Sequence, residues 1–176
     1  MNYGQIYFTD TANGAGCRTA LFVSGCTHHC KECFNSETWN FDYGEPFTEK
    51  EEDEIIESLK PAYISGLTIL GGEPMEVRNQ PAVYHLIERV CKEVPGKNIW
   101  IYSGYTFEEL TDSDNTRTQT DVTRKILQNI DVLVDGEFMI DLKNISLRFR
   151  GSSNQRIIDV KKTLESGEIV LTEYMD

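Results

Sequence analysis

Three cysteines fall within one short stretch of this chain, Cys26-Thr-His-His-Cys30-Lys-Glu-Cys33, while Cys17 and Cys91 stand apart. This spacing lets a single loop wrap three corners of a cuboidal iron–sulfur cluster, for which thiolates are the usual ligands. Three ligands on four irons leave one iron without a protein ligand, and a small molecule can coordinate there. The same thiols with His28 or His29 as fourth ligand also suit tetrahedral zinc, and spacing alone leaves that alternative open. An odd number of cysteines, mostly clustered, does not describe a disulfide framework. It points to a reducing compartment and to a metal or catalytic site.

Gly71-Gly72-Glu73-Pro74 is the second segment with chemical potential. Glycines allow close backbone approach to a ligand, and Glu73 adds a carboxylate. A glycine pair alone is only a turn. Directly after a strand and downstream of the cysteine loop, it becomes a candidate for holding the ammonium of a bound amino acid, which a zinc site does not explain. His28 and His29 read as solvated loop residues or as hydrogen-bond donors near sulfur. Cys91 falls at the core spacing of a helix, Cys17 has no neighbour suggesting reactivity, and His85 reads as structural.

These residues need elements to position them. Arg18 to Ser24 is a short apolar run suited to a buried strand, ending at Gly25 immediately before the cysteine loop. Thr48-Glu-Lys-Glu51 fits a capping box, and Ile55, Ile56 and Leu59 stripe a helix over about residues 48–60. Leu67 to Leu70 is a second buried strand. Val83, Leu86, Ile87, Val90, Cys91 and Val94 recur at helical spacing between Pro81 and Pro95-Gly96. Asn98 to Tyr102 predicts a strand, about 121–129 a helix after the polar 111–120 loop, and Asp131 to Val134 a further strand. Alternating strands and helices imply a parallel sheet with right-handed crossovers, all strands pointing one way. The cysteine loop, Gly71 to Pro74, Ser103-Gly104-Tyr105 and Asp135-Gly136-Glu137 then gather at one sheet edge, where such folds bind ligands. The chain is short for a complete eight-stranded barrel. The expected fold is α/β, an incomplete TIM-like barrel of about five to six mostly parallel strands with outer helices.

At 176 residues, with 39% apolar and 26% charged residues, the sequence describes one ordinary globular domain. A net charge of −12 argues against a nucleic-acid partner, which requires clustered Lys and Arg. The acidic run Glu49 to Glu54 reads as the solvated start of a helix. No stretch has transmembrane length or the character of a secretory signal, so the expected location is the cytoplasm, with no membrane partner.

The cysteine loop and the Gly-Gly-Glu segment, in this order and on these elements, resemble the radical S-adenosylmethionine (SAM) superfamily. Asn13-Gly-Ala-Gly16, Leu21-Phe-Val-Ser-Gly-Cys26, Cys33-Phe-Asn35, Tyr102-Ser-Gly-Tyr105, Val134-Asp-Gly-Glu-Phe138 and Arg150-Gly-Ser-Ser-Asn-Gln-Arg156 narrow the likeness. Together they resemble the glycyl-radical-enzyme activases that serve anaerobic ribonucleoside-triphosphate reductase, over nearly the whole chain. The resemblance implies one radical SAM domain over 1–176, with a [4Fe–4S] cluster on Cys26, Cys30 and Cys33 and SAM as second cofactor. It assigns Glu32, Cys33, Phe34, Gly71, Gly72, Glu73 and Ser103 to the cofactor-binding side. Gly71, Gly72 and Glu73 would hold the methionine end, Phe34 would lie near adenine, and Ser103 would bond a polar SAM group. No catalytic residue is expected beyond these ligands. The implied partners are the large reductase subunit, which would receive a glycyl radical, a flavodoxin- or ferredoxin-like electron donor, and a second copy in a homodimer. Ala15 stands where the family often has Pro, and Glu32 where it often has Gly; Glu32 brings a charge that bears on the cluster's potential.

Overall fold

The computed structural model describes residues 1–175. In chain order the strands are β1 (Asn2–Asp10), β2 (Cys17–Val23), β3 (Glu45–Pro46), β4 (Ile64–Gly71), β5 (Asn98–Tyr102), β6 (Val132–Asp135) and β7 (Arg156–Asp159). The helices are α1 (Glu49–Leu59), α2 (Gln80–Glu93), α3 (Phe107–Thr111), α4 (Thr123–Asn129) and α5 (Val160–Ser166). All seven strands form one sheet in the order β3-β1-β2-β4-β5-β6-β7.

The four central strands β2, β4, β5 and β6 are parallel. They are the apolar runs, and burial on both faces is what a parallel sheet requires. The edges correct the expectation of five or six strands pointing one way. β1 and β3 are antiparallel additions on one side, and β7 pairs antiparallel with β6 on the other. The reason is local. β1 joins β2 through a short loop, and β7 follows an irregular segment instead of a crossover helix, so neither connection can return the chain in parallel. The sheet is open, with β3 and β7 at its edges.

Side chains from all five helices enter one core cluster with Leu21, Val23, Leu67, Ile69, Ile99 and Ile101 of the central strands. Each such fully buried aliphatic side chain contributes about 1.5–3 kcal/mol relative to exposure. α1 carries the expected capping box, Thr48 with Glu51, but the acidic run before its stripe is not all solvated. Glu52 is buried and accepts from Arg89 and His85 on α2 at 3.2 and 2.9 Å. Cys91, expected in the helix core, is exposed, at the flank of the α2 stripe formed by Val83, Leu86, Ile87 and Val90.

The other face of the sheet presents Trp100, Val132, Val134 and Ile157, covered by Phe149, Tyr174 and Met175 near the C-terminus. Arg18 on β2 is fully buried there. It donates to Thr68 Oγ1, Leu67 O and Asn98 Oδ1 at 2.7, 2.7 and 2.6 Å, and its guanidinium lies 5.2 Å from the Trp100 ring centre. Carbonyl and hydroxyl acceptors thus compensate a buried cation; burial lowers its pKa to about 10, so it stays charged at neutral pH. Among the described residues no helix is long and apolar enough to cross a membrane.

Candidate functional site

The carboxyl ends of the parallel strands open into a cleft of about 510 Å³, within the range typical of small-molecule sites. Cys26, Cys30 and Cys33 line it together with Phe34, Gly71, Gly72, Glu73, Ser103 and Gly136. The four loops expected at one sheet edge therefore meet around one space. Of the residues assigned to the cofactor side, Glu32 alone does not line the cleft: its side chain is exposed.

Two glycines set the junction between the cysteine loop and the Gly-Gly-Glu turn. Gly25 has φ +97°, and a Cβ there would lie 2.1 Å from the Phe41 ring. Gly72 has no room either, since a Cβ would lie 2.7 Å from Gly25 O. The closeness permits Gly72 N to donate to Val23 O and Glu73 N to donate to Gly25 O, both at 2.8 Å. Gly25→Ala should therefore destabilise the protein by about 1–3 kcal/mol through its backbone conformation alone, before the clash is counted. At roughly 2–4 °C per kcal/mol for a chain of this size, a thermal melt resolves this, and an unchanged midpoint would contradict the packing described.

The cysteine loop itself is irregular. Cys26 N donates to Trp39 O at 3.1 Å, Cys33 N to Cys30 O at 3.1 Å, and Asn35 N to Cys33 Sγ at 3.4 Å. His29 and Glu32 take left-handed backbone with φ of +52° and +56°, which curls the loop tightly. Thr27 fastens its start by donating from N and Oγ1 to Glu76 Oε1, each at 2.7 Å. All three thiols are free. Burial, reinforced by the charge of Glu73, pushes the Cys26 thiol up to about 12; burial, then Glu137, also raises Cys30. With these thiols held protonated, a metal binding here would have to displace the proton. Among the described residues no three His, Cys, Asp or Glu side chains converge closely enough to hold a single metal ion.

Glu73 is 1% exposed, and its carboxylate is fully engaged by the protein. Oε1 accepts from Ser103 Oγ and Met75 N at 2.9 and 2.8 Å, and Oε2 accepts from Gly104 N at 2.6 Å. His28 Nε2 lies 3.1 Å from the same Oε2, and His28 Nδ1 lies 2.7 Å from Glu137 Oε1. Ser103 Oγ also accepts from Tyr105 N at 3.1 Å. Of the two readings of His28, the solvated one is corrected, since its side chain is only 3% exposed, while the hydrogen-bonding one fits, with carboxylates as its partners. Burial lowers its pKa, but the hydrogen bonds and charges of Glu73 and Glu137 outweigh it, leaving it raised to about 9. The imidazole carries a positive charge at neutral pH, as two donor bonds to carboxylates demand. His29 is exposed and stacks on Trp39, ring centres 4.6 Å apart.

Phe34 is 69% exposed at the rim, 5.4 Å from the Phe138 ring and beneath Lys143 Nζ at 4.9 Å. Sequence reasoning assigned no role to several other lining residues: Trp39, Tyr102, Arg150 and Gln155. Gln155 builds a wall: Oε1 accepts from Gly151 N at 2.8 Å, and Nε2 donates to Gly136 O at 3.0 Å. Arg150 extends it by donating to Gln155 O and Met175 O at 2.9 and 2.8 Å. The Arg150 to Arg156 motif was the signal that could have found them. Trp39 Nε1, Tyr102 Oη and Arg150 Nε are buried without a hydrogen-bond partner among the described residues. Buried polar atoms without partners are uncommon, and three on one cleft fit a polar ligand there.

Three free thiols, Cys26 buried and Cys30 and Cys33 partly so, beside orphaned donors suit an iron–sulfur cluster carrying a small molecule. The family model for the 4Fe-4S single cluster domain matches residues 12–158. Three curated relatives are narrower in kind, each an anaerobic ribonucleoside-triphosphate reductase-activating protein. That of Escherichia coli (strain K12) is 43% identical over 157 residues, spanning 88% of this chain and 96% of the relative. That of Pasteurella multocida (strain Pm70) is 46% identical over 159 residues, spanning 89% and 96%. A third, from Enterobacteria phage T4, is 38% identical over 157 residues, spanning 89% and 93%. The chain belongs to the family of anaerobic ribonucleoside-triphosphate reductase-activating proteins.

Proposed function

We propose that this chain is a radical SAM activase, a single radical SAM domain over residues 1–176 that generates a glycyl radical on the large subunit of an anaerobic ribonucleoside-triphosphate reductase. The observation that carries this reading is the meeting of three free thiols with the Gly71–Gly72 backbone in one cleft at the strand ends. Cys26, Cys30 and Cys33 would hold a [4Fe–4S] cluster which, with SAM bound and an electron from a donor protein, would supply the reductive SAM cleavage needed to remove a hydrogen atom from the partner's glycine.

The protein's part is placement. Cys26, Cys30 and Cys33 hold the cluster. Gly71, Gly72 and Glu73 hold the methionine end through their main chain, because the Glu73 carboxylate already serves Ser103, Met75 and Gly104. Ser103 acts on the same end through Glu73. Tyr102 Oη and Trp39 Nε1 offer unpartnered polar atoms to the adenosine. Phe34 and Phe138 form the apolar rim that adenine would meet. Glu32, outside the cleft, acts on the cluster through charge alone. The sheet serves as an incomplete TIM-like barrel, whose open side admits a folded partner's backbone.

A flavodoxin- or ferredoxin-like protein is the electron donor in this account, a homodimer the associating form, and the cytoplasm the location. The net charge of −12 supports a protein partner over a nucleic acid. Incubating the reduced, reconstituted protein with SAM and the reductase subunit should yield the doublet of a glycyl radical by electron paramagnetic resonance. SAM cleavage without that signal would leave the partner assignment wrong.

A further inference from the structure

We propose that His28 is a positioning residue that latches the middle of the cysteine loop to two other strand ends, through Glu73 and Glu137, and so fixes the thiols relative to the Gly71–Gly72 backbone. The inference rests on the proposed function and deepens it. His28 sits between Cys26 and Cys30, in a loop where Thr27, His29, Lys31 and Glu32 are all exposed. Its own side chain is 3% exposed. Nε2 faces Glu73 Oε2 at 3.1 Å, beyond β4, and Nδ1 faces Glu137 Oε1 at 2.7 Å, beyond β6.

The ring also packs on Tyr105 after β5, with ring centres 4.3 Å apart. Gly104 makes room for it, since a Cβ there would lie 2.6 Å from the imidazole. One side chain from the loop after β2 thereby touches the ends of three further strands. Thr27 fastens the start of the loop to Glu76, but a cluster held on flexible thiols also needs its middle fixed. Each ring nitrogen meets a carboxylate oxygen of a different loop, so the ring bridges Glu73 and Glu137 and ties the loops that carry them to the cysteine loop. The latch thereby holds Cys26 and Cys30 in place relative to the Gly71–Gly72 backbone, where a cluster on these thiols would meet its ligand. Losing such an outer partner commonly costs about 10–100-fold in function while sparing the ligands themselves.

The test is a SAM titration of the anaerobically reconstituted full-length protein, followed by the electron paramagnetic resonance of the reduced cluster, with iron content measured in parallel. In His28→Ala the iron content should match wild type while the SAM dissociation constant rises about tenfold. Glu137→Ala should raise it by a smaller factor. The double variant should be no worse than His28→Ala, because Glu137 acts only through the ring, and non-additivity of this kind marks a shared network. An unchanged constant in fully loaded His28→Ala, or additive effects in the double variant, would overturn the latch. If His28→Ala takes up no iron, Glu137→Ala decides: its side chain is 55% exposed and remote from folding risk, so full iron with weaker binding supports the latch and unchanged binding overturns it. A wild-type protein with its cluster but no SAM affinity would overturn the proposed function, and the latch with it.

Discussion

Cys30→Ala is expected to abolish cluster assembly and 5′-deoxyadenosine formation together, leaving both at background. Cys30 lines the cleft with Cys26 and Cys33, and its carbonyl accepts from Cys33 N at 3.1 Å, so the turn supplies two corners at once. Removing one thiolate leaves only two anchors for a four-iron cluster. Losses of outer-sphere partners already cost about 10–100-fold, so loss of a ligand should exceed about 100-fold in product formed. The backbone of the loop does not depend on the Cys30 side chain, and the variant should melt like the metal-free wild type. Cleavage of SAM retained at more than a few per cent would show that Cys30 holds no iron.

Glu73→Gln should have the next largest consequence, and it separates two roles for this carboxylate. Three donors, Ser103 Oγ, Met75 N and Gly104 N, converge on Glu73 together with the His28 ring in a site that is 1% exposed. A glutamine keeps one acceptor oxygen and turns the other into an NH2 group. At least one buried backbone or ring donor then faces another donor, at a cost of about 1–3 kcal/mol. Chemical denaturation under anaerobic conditions should show a lower midpoint at unchanged slope. SAM affinity should fall while iron content holds, because the strand ends loosen without loss of a thiolate. A protein of unchanged stability with weaker SAM binding would instead place the carboxylate against the ligand itself.

Much of the central fold could be read from the chain. The strands before the cysteine loop and before Gly71, Ser103 and Asp135 are short apolar runs, helical spacing marked α1 and α2, and α4 was placed by its position after the polar 111–120 loop. What escaped has physical causes. β1 mixes polar and aromatic residues because it is only half covered, so it shows neither a buried run nor clean alternation. The four residues of β7 are too few for a pattern, and their pairing with β6 is decided by the irregular segment before them. Cys91 falls within the apolar spacing of α2 yet lies just outside the stripe that faces the sheet, since the buried set ends at Val90.

The site divides in the same way. Cysteine spacing and glycine turns announced the thiols and the close backbone approach, because both depend on neighbours in sequence. Apart from Met75, the partners of Glu73 and His28 lie 30 to 109 residues away along the chain, and no local pattern encodes them. A carboxylate beside two glycines suggests a ligand contact until Ser103 and Gly104 are seen to occupy it. The Arg150 to Arg156 segment showed a family likeness without a role, which became evident only where Gln155 closes the cleft wall against Gly136.

The central claim is that Cys26, Cys30 and Cys33 carry a cubane with one corner free for SAM. Elemental analysis of the protein after anaerobic reconstitution addresses it most directly. About four irons and about four sulfides per chain are predicted, as a cubane requires, with zinc negligible. Stoichiometric zinc without sulfide would contradict the account and return these cysteines to a structural metal site.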